Sequence, residues 1–180
     1  MKVIVAGSRS IKNIVVVYDA LARSGISEID EIVSGMAQGV DRLGEMVAQE
    51  LGIFVQRFQA DWDNHGKDAG FIRNKQMADY ADALVAVWDG GSKGTQHMID
   101  IMRKQDKFVY IHRVFWSIVE TDNYDGDYPD ERFVALPSMS KDVAKRVADA
   151  INKELCPNGG HSRYWKVVPE CYDIQSGFEP

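Results

Sequence analysis

The stretch DALVAVWDGGSKGTQHMIDIMRKQ, residues 82–105, contains three different sequence patterns in succession. Residues 82–88 are apolar enough for a strand buried on both faces, which is typical of a parallel sheet covered by helices. Residues 94–105 carry apolar side chains at the spacing of an amphipathic helix. The glycine-rich residues between the two patterns predict a loop, so the stretch is interpreted as a strand, a loop and a helix.

The same succession repeats through the earlier part of the chain and ends with one more strand. Strands that are separated by single helices require parallel pairing with right-handed crossover connections. The pattern therefore predicts an α/β fold, a three-layer sandwich with a mainly parallel open sheet. The predicted strands are residues 2–7, 31–35, 53–58, 82–88 and 107–114, and the predicted helices are residues 12–25, 39–52, 69–81 and 94–105.

The residues that follow the fifth predicted strand have a different composition. Residues 120–132 are acidic, rich in turn formers and poor in apolar side chains, which is typical of a surface excursion. We expect this excursion to belong to an acidic surface insertion, residues 113–138, within a single domain that covers residues 1–155.

The C-terminal part of the chain combines a helix with a tail. Residues 140–155 predict an amphipathic helix with Ser140 as its N-cap. The tail, residues 156–180, contains Trp165 and Tyr172. We expect this tail to dock on the domain or on a partner subunit.

The overall charge disfavours one class of function. The chain has 180 residues, of which 27 are acidic and 21 basic, and its net charge at pH 7 is -6. An acidic chain gains no counterion-release affinity for duplex DNA. We therefore expect no nucleic-acid partner.

Membrane and metal partners are not expected either. The chain has no apolar stretch long enough to cross a bilayer, and Gly7 and Arg9 interrupt the N-terminal apolar run that a signal peptide would need. We expect a cytoplasmic protein. Cys156 and Cys171, with His161 between them, are irregularly spaced and too few for a zinc site. Reduced thiols and no bound metal are the simpler expectation.

Three predicted strand-to-helix loops combine glycine with small polar residues. They are AGSRS at 6–10, SGMAQGVD at 34–41 and WDGGSKGT at 88–95. Glycine allows backbone N–H groups to approach an anion closely, and ligands of such folds bind at the carboxyl ends of the strands. The three loops together predict a shared pocket for an anion or a nucleotide.

Each loop also has a purely structural interpretation. Serines of the first loop would cap a helix, and glycines of the second would allow close packing, with Asp41 favouring the helix dipole. In the third loop Thr95 would be an N-cap and Lys93 an exposed lysine. The chain has neither a GxxxxGK[ST] loop nor a GxGxxG fingerprint, so a phosphate would be held by another arrangement.

A fourth segment, around residues 58–74, adds an aromatic ring and cations. Trp62 offers a face on which a base could stack, and Lys67 and Arg73 offer charge for a phosphate. The structural alternative is an aromatic anchor with two surface cations. His97, beside the third loop, is either a ligand contact or a helix-surface histidine.

Several motifs together resemble the YspA-type branch of the SLOG superfamily. The motifs are VIVAGSR at 3–9, IVSGMAQGVDRLGEMVAQELG at 32–52 and the stretch from FQADW to TQHMI at 58–99. The resemblance covers residues 2–113. This superfamily is related to the Lonely Guy (LOG) phosphoribohydrolases and to the Rossmann-like domain of the DNA-processing protein DprA.

The resemblance implies a Rossmann-like domain that binds nucleotides or nucleotide-derived ligands, as a sensor or as an enzyme. It also implies a homodimer, since relatives commonly form dimers. In LOG enzymes an arginine precedes a PGGxGTxxE loop whose glutamate takes part in N-glycosidic cleavage. Arg73 is similar to that arginine, and residues 89–95 are similar to that loop.

The departures from the LOG pattern bear on catalysis. Asp89 replaces the proline, one residue is inserted between the glycine pairs, and Met98 stands where the glutamate is expected. A thioether cannot stabilise an oxocarbenium ion or activate water as a carboxylate does. The resemblance therefore does not predict cleavage by the LOG mechanism.

Two other carboxylates are candidates for a catalytic role. Asp41 and Asp61 lie near predicted strand ends, whereas Asp100 lies on the wrong side of its helix. The structural alternatives are a dipole interaction for Asp41 and a turn hydrogen bond for Asp61.

The sequence therefore predicts binding or sensing of a nucleotide or nucleotide-derived small molecule, with no cofactor. The alternative is a nucleotide-processing hydrolase, N-glycosidase or phosphoribohydrolase-like, that uses Asp41 or Asp61. A single-stranded DNA protein is disfavoured by the acidic charge. The predicted ligand-binding residues are Gly7, Ser8, Arg9, Gly35, Ala37, Gly39, Asp41, Trp62, Lys67, Arg73, Asn74, Gly91, Ser92, Lys93, Gly94 and Thr95.

Overall fold

Two separate groups of strands organise the chain, one parallel and one antiparallel. A computed structural model describes residues 1–122, 130–156, 163–170, 172 and 174. The chain divides into two compact units, Met1–Arg113 and Val114–Pro180. Among the described residues, no helix combines the length and apolar character that crossing a bilayer requires.

Five short strands form the sheet of the first unit. Every neighbouring pair is parallel, and the spatial order is β3-β2-β1-β4-β5. The predicted α/β, Rossmann-like fold with an open parallel sheet is confirmed. The strands are β1 (Lys2–Gly7), β2 (Glu31–Ser34), β3 (Phe54–Arg57), β4 (Ala83–Trp88) and β5 (Phe108–Arg113).

The strand order reverses between β1 and β4. The chain moves outward from β1 to β3 on one side and from β4 to β5 on the other, and Val3 of β1 lies opposite both Ile32 and Ala83. Loops that leave the two central strands at their carboxyl ends diverge at such a reversal and leave a crevice for a ligand. The reversal therefore places the first and third glycine-rich loops side by side.

Five helices accompany this sheet. Each has a polar residue or glycine at its N-cap position. Helix α2 ends at Gly52, whose φ of 69° suits glycine. The helices are α1 (Ile14–Arg23), α2 (Val40–Leu51), α3 (Trp62–His65), α4 (Ala69–Tyr80) and α5 (Lys93–Lys104).

Two helix starts differ from the sequence prediction. The side chain of Asn13 accepts a hydrogen bond from the Val15 amide at 2.9 Å, so α1 begins at residue 14 rather than 12. Ser92 caps α5, which begins at Lys93. In both cases a local capping side chain sets the boundary.

The core of the first unit lies around β4. All six residues of this strand are buried, as the apolar run of residues 82–88 predicts. Met98, Ile99 and Met102 of α5 are buried in the same cluster. Their packing holds α5, and hence its N-terminus, in a set position above the sheet.

In its described residues, the second unit consists of a small antiparallel sheet and one helix. Its strands are β6 (Trp116–Asp122), β7 (Arg132–Phe133) and β8 (Arg163–Pro169), in the order β7-β6-β8. Helix α6 (Lys141–Leu155) supplies Ala144 and Ala148 to a core that also contains Trp116 and Ile118.

This unit changes the predicted domain division. The sequence predicted one domain over residues 1–155 followed by a separate tail, but the structure divides after Arg113. The reason is the antiparallel ladder from Trp116↔Pro169 to Asp122↔Arg163, which joins the predicted insertion to the predicted tail. Part of the predicted acidic excursion, together with His161 and Cys171, lies outside the described residues.

Candidate functional site

A cavity of about 190 Å³ lies at the carboxyl ends of the central strands of the first unit. Eleven of the sixteen predicted ligand-binding residues line it, and all three glycine-rich loops contribute. These eleven are Gly7, Arg9, Ala37, Asp41, Trp62, Lys67, Arg73, Asn74, Ser92, Gly94 and Thr95. The other lining residues, which the sequence did not predict, are Ala6, Gly70, Phe71, Met77 and Met98.

A buried acid–base pair forms the inner wall of the cavity. Asp41, in the first turn of α2, is 4% exposed, and Arg73 of α4 is 9% exposed. The Arg73 Nη1 atom lies 3.9 Å from Asp41 Oδ2 and also donates a hydrogen bond to the Gly35 carbonyl. The Nε atom of Arg73 is buried and has no hydrogen-bond partner among the residues that the structure describes. We call Asp41 and Arg73 the inner pair.

Burial changes the protonation chemistry of both members of the inner pair. Loss of solvation raises the pKa of Asp41 to about 6, although Arg73 and the Ala37, Gly7 and Gly35 backbones oppose that rise. Loss of solvation also lowers the pKa of Arg73, and the positive charge of Arg9 lowers it further. The effect of Arg9 on Arg73 arises because the guanidinium groups of both residues lie beside the same cavity.

Two predicted glycines lie behind the cavity wall instead of lining it. A Cβ atom on Gly35 would lie 2.8 Å from Asp41 Oδ2, which leaves no space for any side chain. Gly39 has a φ of 81°, and a Cβ atom there would lie 2.6 Å from the Ser8 carbonyl oxygen. These glycines allow the inner pair and the first loop to approach the second loop closely.

The first turns of three helices contribute residues to the cavity lining. Asp41 is in the first turn of α2, Gly70 in that of α4, and Gly94 in that of α5. Unpaired N–H groups and the helix dipole give each N-terminus a partial positive charge. An anion in the cavity would therefore meet fixed positive charge as well as the arginines.

The third loop is arranged differently from its structural interpretation in the sequence. Ser92, not Thr95, is the N-cap of α5; its Oγ atom accepts from the Thr95 amide at 3.4 Å and from Thr95 Oγ1 at 2.9 Å. Thr95 lines the cavity. Gly91 and Lys93 are exposed and do not line it.

The outer rim of the cavity, which we call the mouth, consists of Trp62, Lys67 and Phe71. The ring of Trp62 is 53% exposed and that of Phe71 is 44% exposed. Phe71 contacts His97 edge to face, with ring centroids 4.6 Å apart. Phe71 was missed by the sequence analysis; its position two residues before Arg73, within AGFIRN, is the signal that could have revealed it.

His97 itself has a supporting position. Its Nδ1 atom lies 3.4 Å from Asn74 Nδ2, and Asn74 also donates to the Gly94 carbonyl at 3.0 Å. Burial lowers the pKa of His97. His97 does not line the cavity, so its contacts connect α4 to α5 at the edge of the site.

The two candidate carboxylates have different environments. Asp61 is the N-cap of α3 and accepts from the Asn64 amide at 3.1 Å and from Asn64 Nδ2 at 2.6 Å. These bonds lower the pKa of Asp61, and it does not line the cavity. Asp41 therefore remains the candidate catalytic carboxylate of the cavity.

The floor of the cavity is apolar. Met98 lines it at 1% exposure, beside Met77 and Ala6. Since Met98 stands where LOG enzymes have a glutamate, the cavity has a thioether in place of that carboxylate.

Ser8 and Asp89 connect the first and third loops. Ser8 is buried and donates from Oγ to Asp89 Oδ1 at 2.6 Å instead of lining the cavity. In the sequence, Asp89 stands out only as a departure from the LOG pattern. No sequence signal indicated that its carboxylate joins two loops, since its partners in the first loop, Ser8 and Ser10, lie 81 and 79 residues away along the chain.

Comparisons with known proteins agree with the resemblance seen in the motifs. A family model described as "YspA, cpYpsA-related SLOG family" matches residues 1–65. The Gene 61 protein of Mycobacterium phage D29 is 35% identical over 106 residues, which cover 53% of this chain and 83% of that protein.

One comparison with solved structures found DNA processing protein A (DprA) from Streptococcus pneumoniae. The likeness has a TM-score of 0.49 and 17% sequence identity, and it covers 61% of this chain and 49% of that one. The match thus spans about half the length of the solved chain.

Proposed function

We propose that this chain, which belongs to the YspA, cpYpsA-related SLOG family, binds a nucleotide or nucleotide-derived small molecule in the cavity of its first unit. Family membership supports a nucleotide-related function in general. The observation that carries the proposal is the combination of a buried, incompletely paired arginine with two exposed aromatic rings around one cavity.

The cations account for the phosphate part of the proposed ligand. Among the described residues that line the cavity, the cations Arg9, Lys67 and Arg73 stand against one carboxylate, that of Asp41. A buried N–H group without an acceptor, such as Arg73 Nε, costs about 1–3 kcal/mol. A phosphate oxygen is an acceptor that would remove this cost, and arginine binds phosphate more specifically than lysine does.

The size of the cavity accounts for the position of the base. At about 190 Å³ it is smaller than the roughly 300–1,000 Å³ of typical pockets that enclose a drug-sized ligand. A nucleotide would therefore be only partly enclosed. With its phosphate beside the arginines and helix N-termini, the base would extend to the mouth and stack on Trp62.

Paired probes test this proposal. We expect isothermal titration calorimetry to show that AMP binds more tightly than adenosine, and that ADP-ribose raises the melting temperature. Lys67→Ala should weaken AMP binding about tenfold, the effect of losing roughly 1.4 kcal/mol. Lys75→Ala is the matched control, because Lys75 is exposed, pairs with Asp79 and does not line the cavity.

Two outcomes would contradict the proposal. If neither nucleotides nor ADP-ribose bound at millimolar concentration, the site would not be a nucleotide site. Equal affinity for AMP and adenosine would show that no phosphate is held by the arginines.

A hydrolase that cleaves an N-glycosidic bond is the second candidate function. The observation that favours it is Asp41, which lines the cavity and whose pKa is raised to about 6. A carboxyl group with a pKa near neutrality can give up and regain a proton during a reaction. In this reaction the bond from C1′ to the base breaks, Asp41 supplies a proton to the leaving base, and water adds its oxygen to C1′. The proton that water loses returns to the Asp41 carboxylate, which restores the acid.

Chromatography of reaction mixtures distinguishes the two functions. The protein is incubated with AMP, NAD and ADP-ribose, and free base and ribose products are separated. Hydrolysis predicts product with the wild type and none with Asp41→Asn, while binding alone predicts no product with either.

Homodimer formation and a cytoplasmic location also remain proposals. Light scattering coupled to gel filtration measures the first, since a dimer of this 20.2 kDa chain has twice the monomer mass.

A further inference from the structure

Asp89 connects the first and third glycine-rich loops through its carboxylate. Ser8 Oγ donates to Oδ1 at 2.6 Å, and Ser10 Oγ donates to Oδ2 at 2.7 Å. The Gly91 amide also donates to Oδ1, at 3.0 Å. Asp89 therefore holds the residues on both sides of Arg9 and, at the same time, the loop after β4.

The second glycine-rich loop also restricts the backbone of Arg9. Gly39 lies so close that a Cβ atom there would be 2.7 Å from Arg9 Cα. The Arg9 backbone is therefore enclosed by Gly39 on one side and by the two serines bound to Asp89 on the other. A long side chain on a loop normally loses rotamer and backbone freedom when it binds a ligand. Here the structure has already reduced the backbone part of that loss.

We propose that Asp89 is a positioning residue that holds Arg9 ready to bind the anionic part of the ligand, an inference that rests on the proposed function. Electrostatics alone predicts the opposite effect. Removing a negative charge near a cavity lined by Arg9, Lys67 and Arg73 would strengthen anion binding. If Asp89 acts by positioning Arg9, its removal weakens binding despite the more favourable net charge.

A double-mutant cycle measures this action. We expect Asp89→Ala to weaken AMP binding about tenfold by titration calorimetry, corresponding to roughly 1.4 kcal/mol. In an Arg9→Ala background the same change should have less than about a twofold effect, because its target is gone. Asp89→Asn keeps one acceptor oxygen, so its AMP affinity should lie between those of the wild type and Asp89→Ala. Asp79→Asn is the control, since Asp79 accepts from Lys75 and Gln105 outside the cavity.

A second measurement does not require a ligand. Trypsin cleaves after arginine, and Arg9 is exposed, so the rate of cleavage after Arg9 reports how firmly its segment is held. We expect Asp89→Ala to accelerate this cleavage about tenfold or more relative to cleavage after Arg23. Cleavage in the Asp79→Asn control should match the wild type.

The two readouts separate the possible failures. Unchanged cleavage after Arg9 in Asp89→Ala overturns the positioning role, whatever the affinities are. Accelerated cleavage with equal losses of affinity in both Arg9 backgrounds also overturns it, because Asp89 would then act independently of Arg9. If wild-type protein binds no AMP, the proposed function fails and the role in binding falls with it, while cleavage still decides whether Asp89 holds the segment.

Discussion

The inner pair and the mouth are two parts of one cavity that differ in burial. Asp41 and Arg73 are almost completely buried, and they approach Gly35 so closely that a Cβ atom there would clash with both side chains. Trp62, Lys67 and Phe71 are all exposed: Trp62 begins α3, Lys67 lies on the short turn after it, and Phe71 lies in the first turn of α4. The inner pair is thus packed within the fold, whereas the mouth residues are exposed and contribute less to packing. Substitutions of the inner pair should change stability and binding together, and substitutions at the mouth should change binding alone.

The largest effect is expected for Arg73→Ala. Removing one partner of a buried ion pair costs about 3–5 kcal/mol. We expect the lower end, about 3 kcal/mol, because Asp41 can take up a proton once its partner is lost. Urea denaturation measures the change. Lys75→Ala, on the same helix but in an exposed pair with Asp79, should cost less than about 1 kcal/mol. Equal losses for the two variants would show that the inner pair is not a structural element.

The next effect is the dependence of stability on pH. The pKa of Asp41 rises to about 6 on folding because of burial, so the folded chain holds this proton more tightly than the unfolded chain. The contribution of Asp41 to stability therefore decreases as the pH rises from about 4 to 6 and is constant above that range. A rise from 3.8 to about 6 corresponds to about 3 kcal/mol.

The variant Asp41→Asn isolates the pH-dependent contribution of Asp41 to the free energy of unfolding. We expect the stability of the variant relative to the wild type to increase by up to about 3 kcal/mol between pH 4 and pH 7, as measured by urea denaturation. Asp79→Asn should show no increase, since the pKa of Asp79 is lowered by Lys75 and Gln105. A difference between Asp41→Asn and wild type that does not vary with pH would mean that Asp41 is ionised in the folded protein as easily as in water.

At the mouth, Trp62→Ala should change binding without changing stability. Base stacking on an aromatic ring contributes about 1–3 kcal/mol, so AMP affinity should fall about 5- to 150-fold by calorimetry. The free energy of unfolding should stay within about 0.5 kcal/mol because the ring is exposed. Ribose 5-phosphate, which has no base, should bind both proteins equally. An equal loss of affinity for both probes would assign Trp62 to the phosphate.

The two units differ in how far the sequence predicted them. The strands and helices of the first unit follow from apolar runs that alternate with amphipathic runs, because each run is a local pattern that is recognisable without knowledge of which strands pair. The ladder between residues 116–122 and 163–169 joins segments more than 40 residues apart, and no local pattern shows which distant strand is a partner. Asp41 and Arg73 could each be identified from the sequence as a candidate site residue. Their 3.9 Å contact could not, because it depends on how α2 and α4 pack.

The smallest effect is expected for Lys93→Ala, a residue that the loop motif predicted as a ligand contact. With Ser92 as the N-cap, Lys93 is the first residue of α5, is exposed, and does not line the cavity. A positive charge at a helix N-terminus is unfavourable by about 0.3–1 kcal/mol at most, so its removal should leave stability equal or slightly higher. AMP affinity should change less than about twofold, since only a long-range, screened attraction is lost. A tenfold loss, equal to that expected for Lys67→Ala, would mean that α5 presents its first residue to the ligand and that the mouth extends beyond Trp62, Lys67 and Phe71.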